Sequence, residues 1–542
     1  MIEVSGIRVP LKALDGSNKR ELAECRRALA RKLRIGERDL LHVERRRRSI
    51  DARKQGNVQL TFTLRAELAP GARVRADKGV KLVEERPFAF PAPVDRTGGR
   101  PVVVGAGCAG LFCALSLARA GLEPLLVERG EDATRRAKTV RRHNETGELD
   151  VESNIQFGVG GAGTFSDGKL QTGTKSPAHC LILETFVAAG AQPQILWDAK
   201  PHIGSDVLPR VVTQIVREIE EAGGEVRTRC RMSDLDIAGG AIRGVTLATT
   251  GDDGLVREER IPTDCVILAC GHSARDVFAL LRVRGVTMER KTFAMGVRIE
   301  HLQANIDRAL YGSAAGHPAL GAAPYSLSCH LPSGRSAFSF CMCPGGYVVS
   351  AASETGGVCT NGMSLSDRAG TNANSGLLAN VFPEDLPGDD VLAGVELQRT
   401  CERAAFAVGG GAYVAPAQLV GDFLQGVPSS SGGRVNPTYP RGVSWGDVAP
   451  CLPPYVAETL REAIPLLGRR LRGFDVADAV LTGVETRSSS PVRVTRGDDG
   501  QSLSVRGLWP VGEGAGYAGG IMSAATDGIL AAEKVVAAYA RR

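Results

Sequence analysis

"RPVVVGAGCAGLFCALSLARAGLEPLLVERG", residues 100–130, decides how this chain folds. Residues 101–118 carry no charge, so hydropathy alone suggests a membrane span. Glycines at Gly105, Gly107 and Gly110 argue against that interpretation, and the apolar run is marginal in length for a bilayer. The pattern instead predicts a strand, a glycine turn, a helix and a second strand, which together form a nucleotide-binding unit.

Each glycine has a separate role in such a unit. Gly105 permits the tight turn, Gly107 lets the backbone approach a pyrophosphate, and Gly110 lets the helix pack on the strand. The helix N-terminus then faces the phosphates. Glu128 ends the second strand, where a carboxylate accepts both ribose hydroxyls and disfavours a 2′-phosphate. The sequence therefore predicts NAD or FAD at this turn and not NADP.

Two later segments favour FAD. Residues 264–276, "DCVILACGHSARD", predict a buried strand that ends in a glycine turn at Gly271. Residues 507–533 predict a strand, a turn containing Gly512 and Glu513, and a helix that begins near residue 520. Glu513 is placed to reach the ribityl or pyrophosphate region, and the helix N-terminus to stabilise negative charge on a reduced flavin. NAD enzymes do not need this third element.

The chain of 542 residues is too long for one core. We predict an α/β protein with a discontinuous Rossmann-like (ββα) FAD-binding domain, an inserted α+β substrate domain and a small amino-terminal α/β domain. The predicted boundaries are 1–95 for the basic β-α-β-β amino-terminal domain, 96–290 and 476–542 for the two parts of the FAD-binding domain, and 291–475 for the insertion.

Charge is unevenly distributed along the chain. The first 100 residues hold 24 lysines and arginines against 13 acidic residues, a net charge of +11, which leaves −5 of the total +6 for the remainder. The run from Arg45 to Arg48 raises the possibility of nucleic-acid binding. The alternative is a solvated strand end or a face docked on the acidic body, and no interleaved aromatics support base stacking. Nucleic acid is therefore disfavoured as a partner.

Composition also bears on location and metals. The amino terminus lacks the basic and apolar run of a signal peptide. The 13 cysteines contain no CxxC pair, so reduced thiols in a cytoplasmic protein without a membrane span are expected. No histidines have metal-ligand spacing, and no metal is predicted.

Several longer segments resemble a family of bacterial FAD-dependent dehydrogenases, which are relatives of the two-dinucleotide-fold flavoproteins. They include "SIDARK" (49–54), "NIQFGVGGAGTFSDGKL" (154–170), "GHSARD" (271–276), "FAMGVRIEH" (293–301), "FSFCMCPGGYVV" (338–349), "GVETRSSSPVR" (483–493) and "PVGEGAGYAGGIMSAATDG" (510–528). The resemblance covers nearly the whole chain. It implies FAD bound by a split Rossmann-like domain and an inserted substrate domain, without specifying a substrate.

The glycine-rich loop at 158–169 is expected to cross near the pyrophosphate and the flavin ring, where consecutive amides form an anion nest. The expected FAD contacts of the whole chain are Gly105, Ala106, Gly107, Cys108, Ala109, Gly110, Glu128, Arg129, Gly161, Gly163, Thr164, Lys169, Gly271, Gly512, Glu513, Gly520 and Ile521.

Candidates for the chemistry itself are few. Cys341 and Cys343 lie on one side of a predicted strand, either as a redox pair beside the flavin or as core and pocket-lining thiols. No neighbouring basic residue is evident in the sequence that would lower their pKa values. Arg487 either holds an anionic group or forms a structural salt bridge. His272 either lines the cofactor site or caps its turn.

The expected reaction is hydride or electron transfer between flavin N5 and a small organic substrate in a largely apolar pocket. A second GxGxxG unit for NAD(P)H is missing. A monooxygenase that draws on transiently bound NAD(P)H, or another electron partner, is the alternative. A further alternative, from a different functional class, is a flavoprotein that associates with RNA.

Overall fold

An antiparallel sheet and one helix form the amino-terminal part of the chain. The computed structural model describes residues 1–54, 57–72, 74, 79–84 and 88–541. The first elements are β1 (Ile2–Pro10), α1 (Asn18–Leu33), β2 (Leu40–Asp51), β3 (Gln59–Leu68) and β4 (Val80–Leu82). The strands pair in the order β2-β3-β1-β4. The predicted succession of strand, helix, strand and strand is present, with β4 added within the described residues.

The helix α1 begins as predicted, because the Ser17 side chain accepts a hydrogen bond from the Arg20 N–H. The spacing predicts an apolar stripe through Leu22, Cys25, Leu29 and Leu33. Leu22 is exposed, whereas the other three are buried. The buried face is rotated because Glu21 is drawn inward by two arginines of β2.

Those arginines belong to the basic run considered for nucleic acid. Arg45 and Arg48 pair with the two oxygens of Glu21 at 2.7 and 2.8 Å. Arg45 also stacks over the ring of Trp197, and the Arg48 N–H donates to the Trp197 carbonyl. Arg46 lies 3.9 Å from Glu44, so three of the four arginines in the run have side-chain contacts within the chain.

We expect Glu21→Gln to lower the free energy of unfolding by about 2 kcal/mol, because it leaves two cations without their buried partner. Thermal unfolding with limited proteolysis near residue 50 measures the effect. Glu24→Gln is the control on the same helix, since Glu24 pairs with half-exposed Arg20 and Arg27 and its loss is expected to cost below about 1 kcal/mol. Equal losses in both variants would contradict the expectation.

A parallel sheet carries the predicted nucleotide-binding unit. The elements of this part of the chain, in order and not all in that sheet, are β5 (Val102–Val104), α2 (Cys108–Arg119), β6 (Leu125–Val127), α3 (Ala133–Thr146), α4 (Ala178–Ala188), α5 (Leu208–Glu221), β7 (Glu225–Arg227), β8 (Cys230–Ala238), β9 (Ala241–Thr250), β10 (Val256–Pro262), β11 (Val266–Leu268), α6 (Arg275–Val283) and β12 (Met288–Arg290).

The inserted region follows directly. Its elements are β13 (Phe293–Leu302), α7 (Gln303–Tyr311), β14 (Ser328–His330), β15 (Ser336–Ser350), β16 (Thr360–Ser364), β17 (Asn372–Val381), α8 (Ala393–Val408), β18 (Ala415–Leu419), α9 (Val420–Gln425), β19 (Val443–Trp445), α10 (Pro454–Arg470) and β20 (Val480–Glu485). The chain then returns with β21 (Val492–Val494), β22 (Leu508–Pro510) and α11 (Ile521–Ala540).

The parallel sheet has the strand order β22-β11-β5-β6-β7. Alternate residues of its short strands bury opposite faces: Val103 and Ile267 pack with α2 and α11, while Val102 and Val266 pack with the antiparallel sheet β10-β9-β8. The order reverses at β5, and ligands bind at the carboxyl ends of strands beside such a reversal. The glycine turn after β5 lies at that point.

The inserted sheet corrects one predicted boundary. The predicted boundary at residue 476 places strand β20 in the returning FAD-binding part. It pairs instead with β13 and β18 in the middle of the eight-stranded inserted sheet. The return begins at β21, which pairs with β12. A short buried apolar strand does not reveal from sequence which of two sheets it joins. Throughout the described ranges, no helix is long and apolar enough to cross a membrane.

Candidate functional site

The turn after β5 has the backbone geometry on which the predicted roles of its glycines depend. Gly105 has a φ of +101°, and a Cβ there would lie 2.5 Å from the Ala269 carbonyl oxygen. A Cβ on Gly110 would lie 1.8 Å from the Gly105 oxygen. At Gly107 the nearest atom would be 3.9 Å away, so this position opens toward free space at the N-terminus of α2.

Glu128 is a buried carboxylate held by the main chain around it. Its Oε2 accepts the Ala106 N–H at 2.8 Å, and its Oε1 accepts the N–H groups of Gly130 and Gly158 at 3.0 and 2.8 Å. A carboxylate oxygen has two lone pairs. Oε2 therefore retains more capacity for a ribose hydroxyl than Oε1, which refines the expectation that the carboxylate accepts both.

A cavity of about 570 Å³ runs from Glu128 to the inserted sheet, within the size range of ligand sites. Every expected FAD contact lines this cavity except Ala106, Gly110 and Thr164, and of the three candidates for the chemistry Cys343 does not line it. At Gly271 and Gly520 an added Cβ would meet no atom within 4 Å, so the main chain itself faces the cavity. The glycine turns, two helix N-termini and the acceptor at Glu128 fit a dinucleotide.

These four residues lie outside the cavity lining. The Ala106 side chain is buried in the core, and Gly110 serves only the packing of α2 on the turn. The Thr164 hydroxyl donates to the Val159 carbonyl and stabilises the glycine loop from behind. Cys343 lies behind Cys341 and is fully buried. Sequence spacing does not separate residues that touch a ligand from those one layer deeper.

Arg129 lines the cavity next to Glu128, but its guanidinium is already engaged. It donates to Glu152 at 2.8 Å and to both oxygens of Asp276 at 2.9 and 3.1 Å. It also stacks over the Phe157 ring at 4.4 Å. Arg129 therefore lines the cavity at the end where the ribose is expected, and its charge is neutralised by these acidic partners.

The returning turn places Glu513 and His272 together at the cavity. The His272 Nε2–H donates to the Arg487 carbonyl at 3.0 Å, which leaves Nδ1 unprotonated 3.6 Å from a Glu513 oxygen. Burial, with Arg487 nearby, lowers the pKa of His272 to about 4. Burial raises the pKa of Glu513 to about 7, against the lowering effects of the Gly520 backbone and Lys291. Glu513 can therefore hold or release a proton near neutral pH.

The far end of the cavity lies between the glycine loop and β15. The Lys169 ammonium donates to the Met342 carbonyl and lies 3.7 Å from Asp167. Asp167 in turn pairs with Arg368. Lys169 is thus tied to the strand segment that carries Cys341, which lines the cavity.

The expectation that no basic group approaches the two cysteines is wrong. Arg298 of β13 reaches the Cys341 carbonyl at 2.6 Å and the Cys343 sulfur at 3.4 Å, and the Lys169 ammonium donates to the carbonyl of Met342 between them. Arg298 is buried against Glu485. Sequence reasoning missed it, although an arginine inside the apolar strand "FAMGVRIEH" is an available signal.

Arg487 forms a structural salt bridge, which is one of the two roles predicted for it. Its guanidinium donates to both oxygens of Glu402 at 2.9 and 2.8 Å, and Arg275 does the same from the other side. Arg487 also lines the cavity, together with Ser488 and Ser489. Asn361 is a further lining residue that the sequence did not single out.

Comparison with known proteins agrees with this geometry. Residues 292–488 match the family described as "FAD-dependent protein, C-terminal domain-like", and residues 103–165 match an NAD(P)-binding Rossmann-like domain. Residues 1–67 match a domain of unknown function. An uncharacterized protein of Clostridium beijerinckii is 42% identical over 514 residues, which cover 94% of this chain and 95% of that protein.

The chain belongs to this family of FAD-dependent proteins. The flavoprotein is an oxidoreductase that binds FAD. Among solved structures, a triple mutant of the flavin-dependent brominase Bmp2 is 13% identical, with 82% of this chain and 80% of that chain covered and a TM-score of 0.36. A geranylgeranyl bacteriochlorophyll reductase-like protein from Thermoplasma acidophilum is 11% identical, with 81% and 78% covered and a TM-score of 0.35. Neither likeness bears on the reaction of this flavoprotein.

Proposed function

We propose that this flavoprotein is a dehydrogenase or reductase of a small organic substrate that binds at the far end of the cavity. One observation carries the proposal: the inserted sheet contributes Cys341 and Asn361 to a cavity whose other end contains Glu128 and the glycine turn. Bound FAD supplies two-electron chemistry. The chain supplies the position of the substrate and the polar groups around it.

Different parts of the chain bind the phosphates, stabilise negative charge and hold or release a proton. The turn at Gly105 and Gly107, with the N-terminus of α2, holds phosphates through main-chain N–H groups. The N-terminus of α11 at Ile521 stabilises negative charge that develops in the cavity. Glu513 holds or releases a proton, and the segment around Cys341 covers the cavity and keeps water out.

The experiment follows flavin colour in purified holoprotein without oxygen. NADH, NADPH and a panel of alcohols, amines and hydroxy acids are mixed with it separately, and the visible absorbance of oxidised flavin is recorded. We expect at least one organic reductant to bleach the flavin faster than either nicotinamide. Fastest bleaching by NADH or NADPH would overturn the dehydrogenase direction of the proposal, in which the organic substrate reduces the flavin, and would favour the monooxygenase alternative.

Asn361→Leu tests the location of the substrate. We expect it to slow bleaching by the organic reductant by about tenfold or more, because misplacement of a substrate is costly in rate. The FAD content and the bleaching by dithionite serve as internal controls and are expected to stay unchanged. An unaltered rate with the organic reductant would place the substrate elsewhere.

A further inference from the structure

The strand β15 is interrupted at the two cysteines. Cys341 has a φ of +42°, a left-handed conformation that is uncommon for a residue with a side chain and marks a locally strained site. The pairing of β15 with β17 slips between Phe340 and Cys343 and again between Cys343 and Gly346. The segment is therefore not a regular strand, contrary to the prediction.

This interruption changes what the two thiols can do. In an extended strand, Cα atoms two residues apart are roughly 7 Å from each other, at the limit for a disulfide. The left-handed residue and the two register shifts remove the regular alternation of side chains along the strand. Here the Cys343 thiol donates to the Cys341 carbonyl at 3.2 Å, so the second thiol folds back toward the first residue.

The surroundings differentiate the two sulfurs. Cys341 lines the cavity, whereas Cys343 is fully buried behind it beside Arg298. A hydrogen bond from Cys343, aided by Lys169 and Arg298, lowers the pKa of the Cys341 thiol. Burial, together with that hydrogen bond to Cys341, raises the pKa of Cys343. The pair therefore combines a more readily deprotonated thiol at the cavity with a less acidic thiol next to it.

We propose that Cys341 and Cys343 form a redox-active dithiol–disulfide pair that exchanges electrons with the FAD of the same cavity. In the oxidising direction one S–S bond forms between the two Sγ atoms. The Cys341 thiolate and the Cys343 thiol together give up two electrons and one proton, and FAD, which is the oxidant, takes up both electrons and that proton. In the reducing direction the same two electrons return and reopen the bond. This activity goes beyond the proposed function, which requires no thiol.

Reductive titration of air-oxidised holoprotein with dithionite, in the absence of oxygen, counts the electrons taken up per flavin. The disulfide is a two-electron couple, and so is the flavin. We expect the unaltered protein to consume twice the reductant per flavin that Cys341→Ser or Cys343→Ser consumes. Cys180→Ser, which removes an exposed thiol, is the control and is expected to match the unaltered protein. Uptake by the flavin alone in the unaltered protein would overturn the proposal.

Mass spectrometry provides a test that needs no variant to fold. Air-oxidised holoprotein is alkylated with iodoacetamide after denaturation, with and without prior reduction. We expect the peptide that contains both cysteines to be unmodified and two hydrogens lighter without reduction, and doubly alkylated after it. Double alkylation without reduction would overturn the pair. That result, alongside bleaching by an organic reductant, would leave the proposed function intact and so separate the two ideas.

Discussion

Replacing Gly110 by alanine is expected to yield protein without FAD and with a large loss of stability. The added Cβ would lie 1.8 Å from the Gly105 oxygen, a main-chain atom that cannot move without opening the turn. Helix α2 is buried along most of its length between the parallel sheet and α11. We expect a loss of about 4 kcal/mol or more, measured as the midpoint of thermal unfolding, and no flavin absorbance after purification.

Gly107→Ala is the matched control in the same turn. Its Cβ would approach nothing closer than 3.9 Å, so we expect normal unfolding. The methyl group would project into the space reserved for the pyrophosphate, and FAD affinity is expected to fall by about tenfold or more, which corresponds to about 1.4 kcal/mol. Equilibrium dialysis of FAD measures it. Equal unfolding temperatures for the two variants would refute the assignment of separate roles to Gly107 and Gly110.

Glu402→Gln is expected to produce the second large loss of stability. Glu402 of α8 accepts four guanidinium hydrogen bonds, two from Arg275 at the start of α6 and two from Arg487 after β20. Both guanidinium groups are buried. Removing the carboxylate leaves two buried cations together, of which only Arg275 keeps a carboxylate partner in Glu354. We expect a cost of about 3–5 kcal/mol and a loosening of the inserted sheet from the FAD-binding domain.

The midpoint of urea unfolding measures this loss. Arg399→Met is the control: Arg399 pairs with Glu354 nearby but both side chains are partly exposed, so a cost of about 1 kcal/mol or less is expected. A Glu402→Gln protein with an unchanged midpoint would show that the three residues do not stabilise the fold.

The dependence of stability on pH provides an independent measurement of what Glu402 contributes to the free energy of unfolding. Arg487 and Arg275 outweigh the effect of burial and hold its pKa well below the ordinary value of 4.5. A lowered pKa in the folded state stabilises the protein above the unfolded-state value, and this contribution is lost as pH falls through the folded-state value. We expect the unaltered protein to lose stability below about pH 4.5 more steeply than Glu402→Gln, measured by urea unfolding at a series of pH values. If the free energies of unfolding of the two proteins fell in parallel with pH, the acid dependence would not originate from Glu402.

The nucleotide-binding part of the protein was predictable because its determinants are local. A residue without a side chain is needed where the turn has a positive φ, as at Gly105, or where a helix touches a strand, as at Gly110. A carboxylate at the end of the next strand and a glycine turn before a buried helix are equally visible in a linear string. FAD, the Rossmann-like fold and most cavity-lining positions followed from such patterns.

Other properties depend on which distant residues come together. The partners of Cys341 lie at Lys169 and Arg298, and Glu402 joins Arg275 to Arg487, across separations that no short pattern spans. Strand β20 belongs to the inserted sheet because of its pairing with β13, and Glu21 is buried because two arginines neutralise it. Pairing, burial and the pKa values of thiols and carboxyls arise from the electrostatic and packing environment of the folded chain. Neighbouring residues in the sequence do not supply that environment.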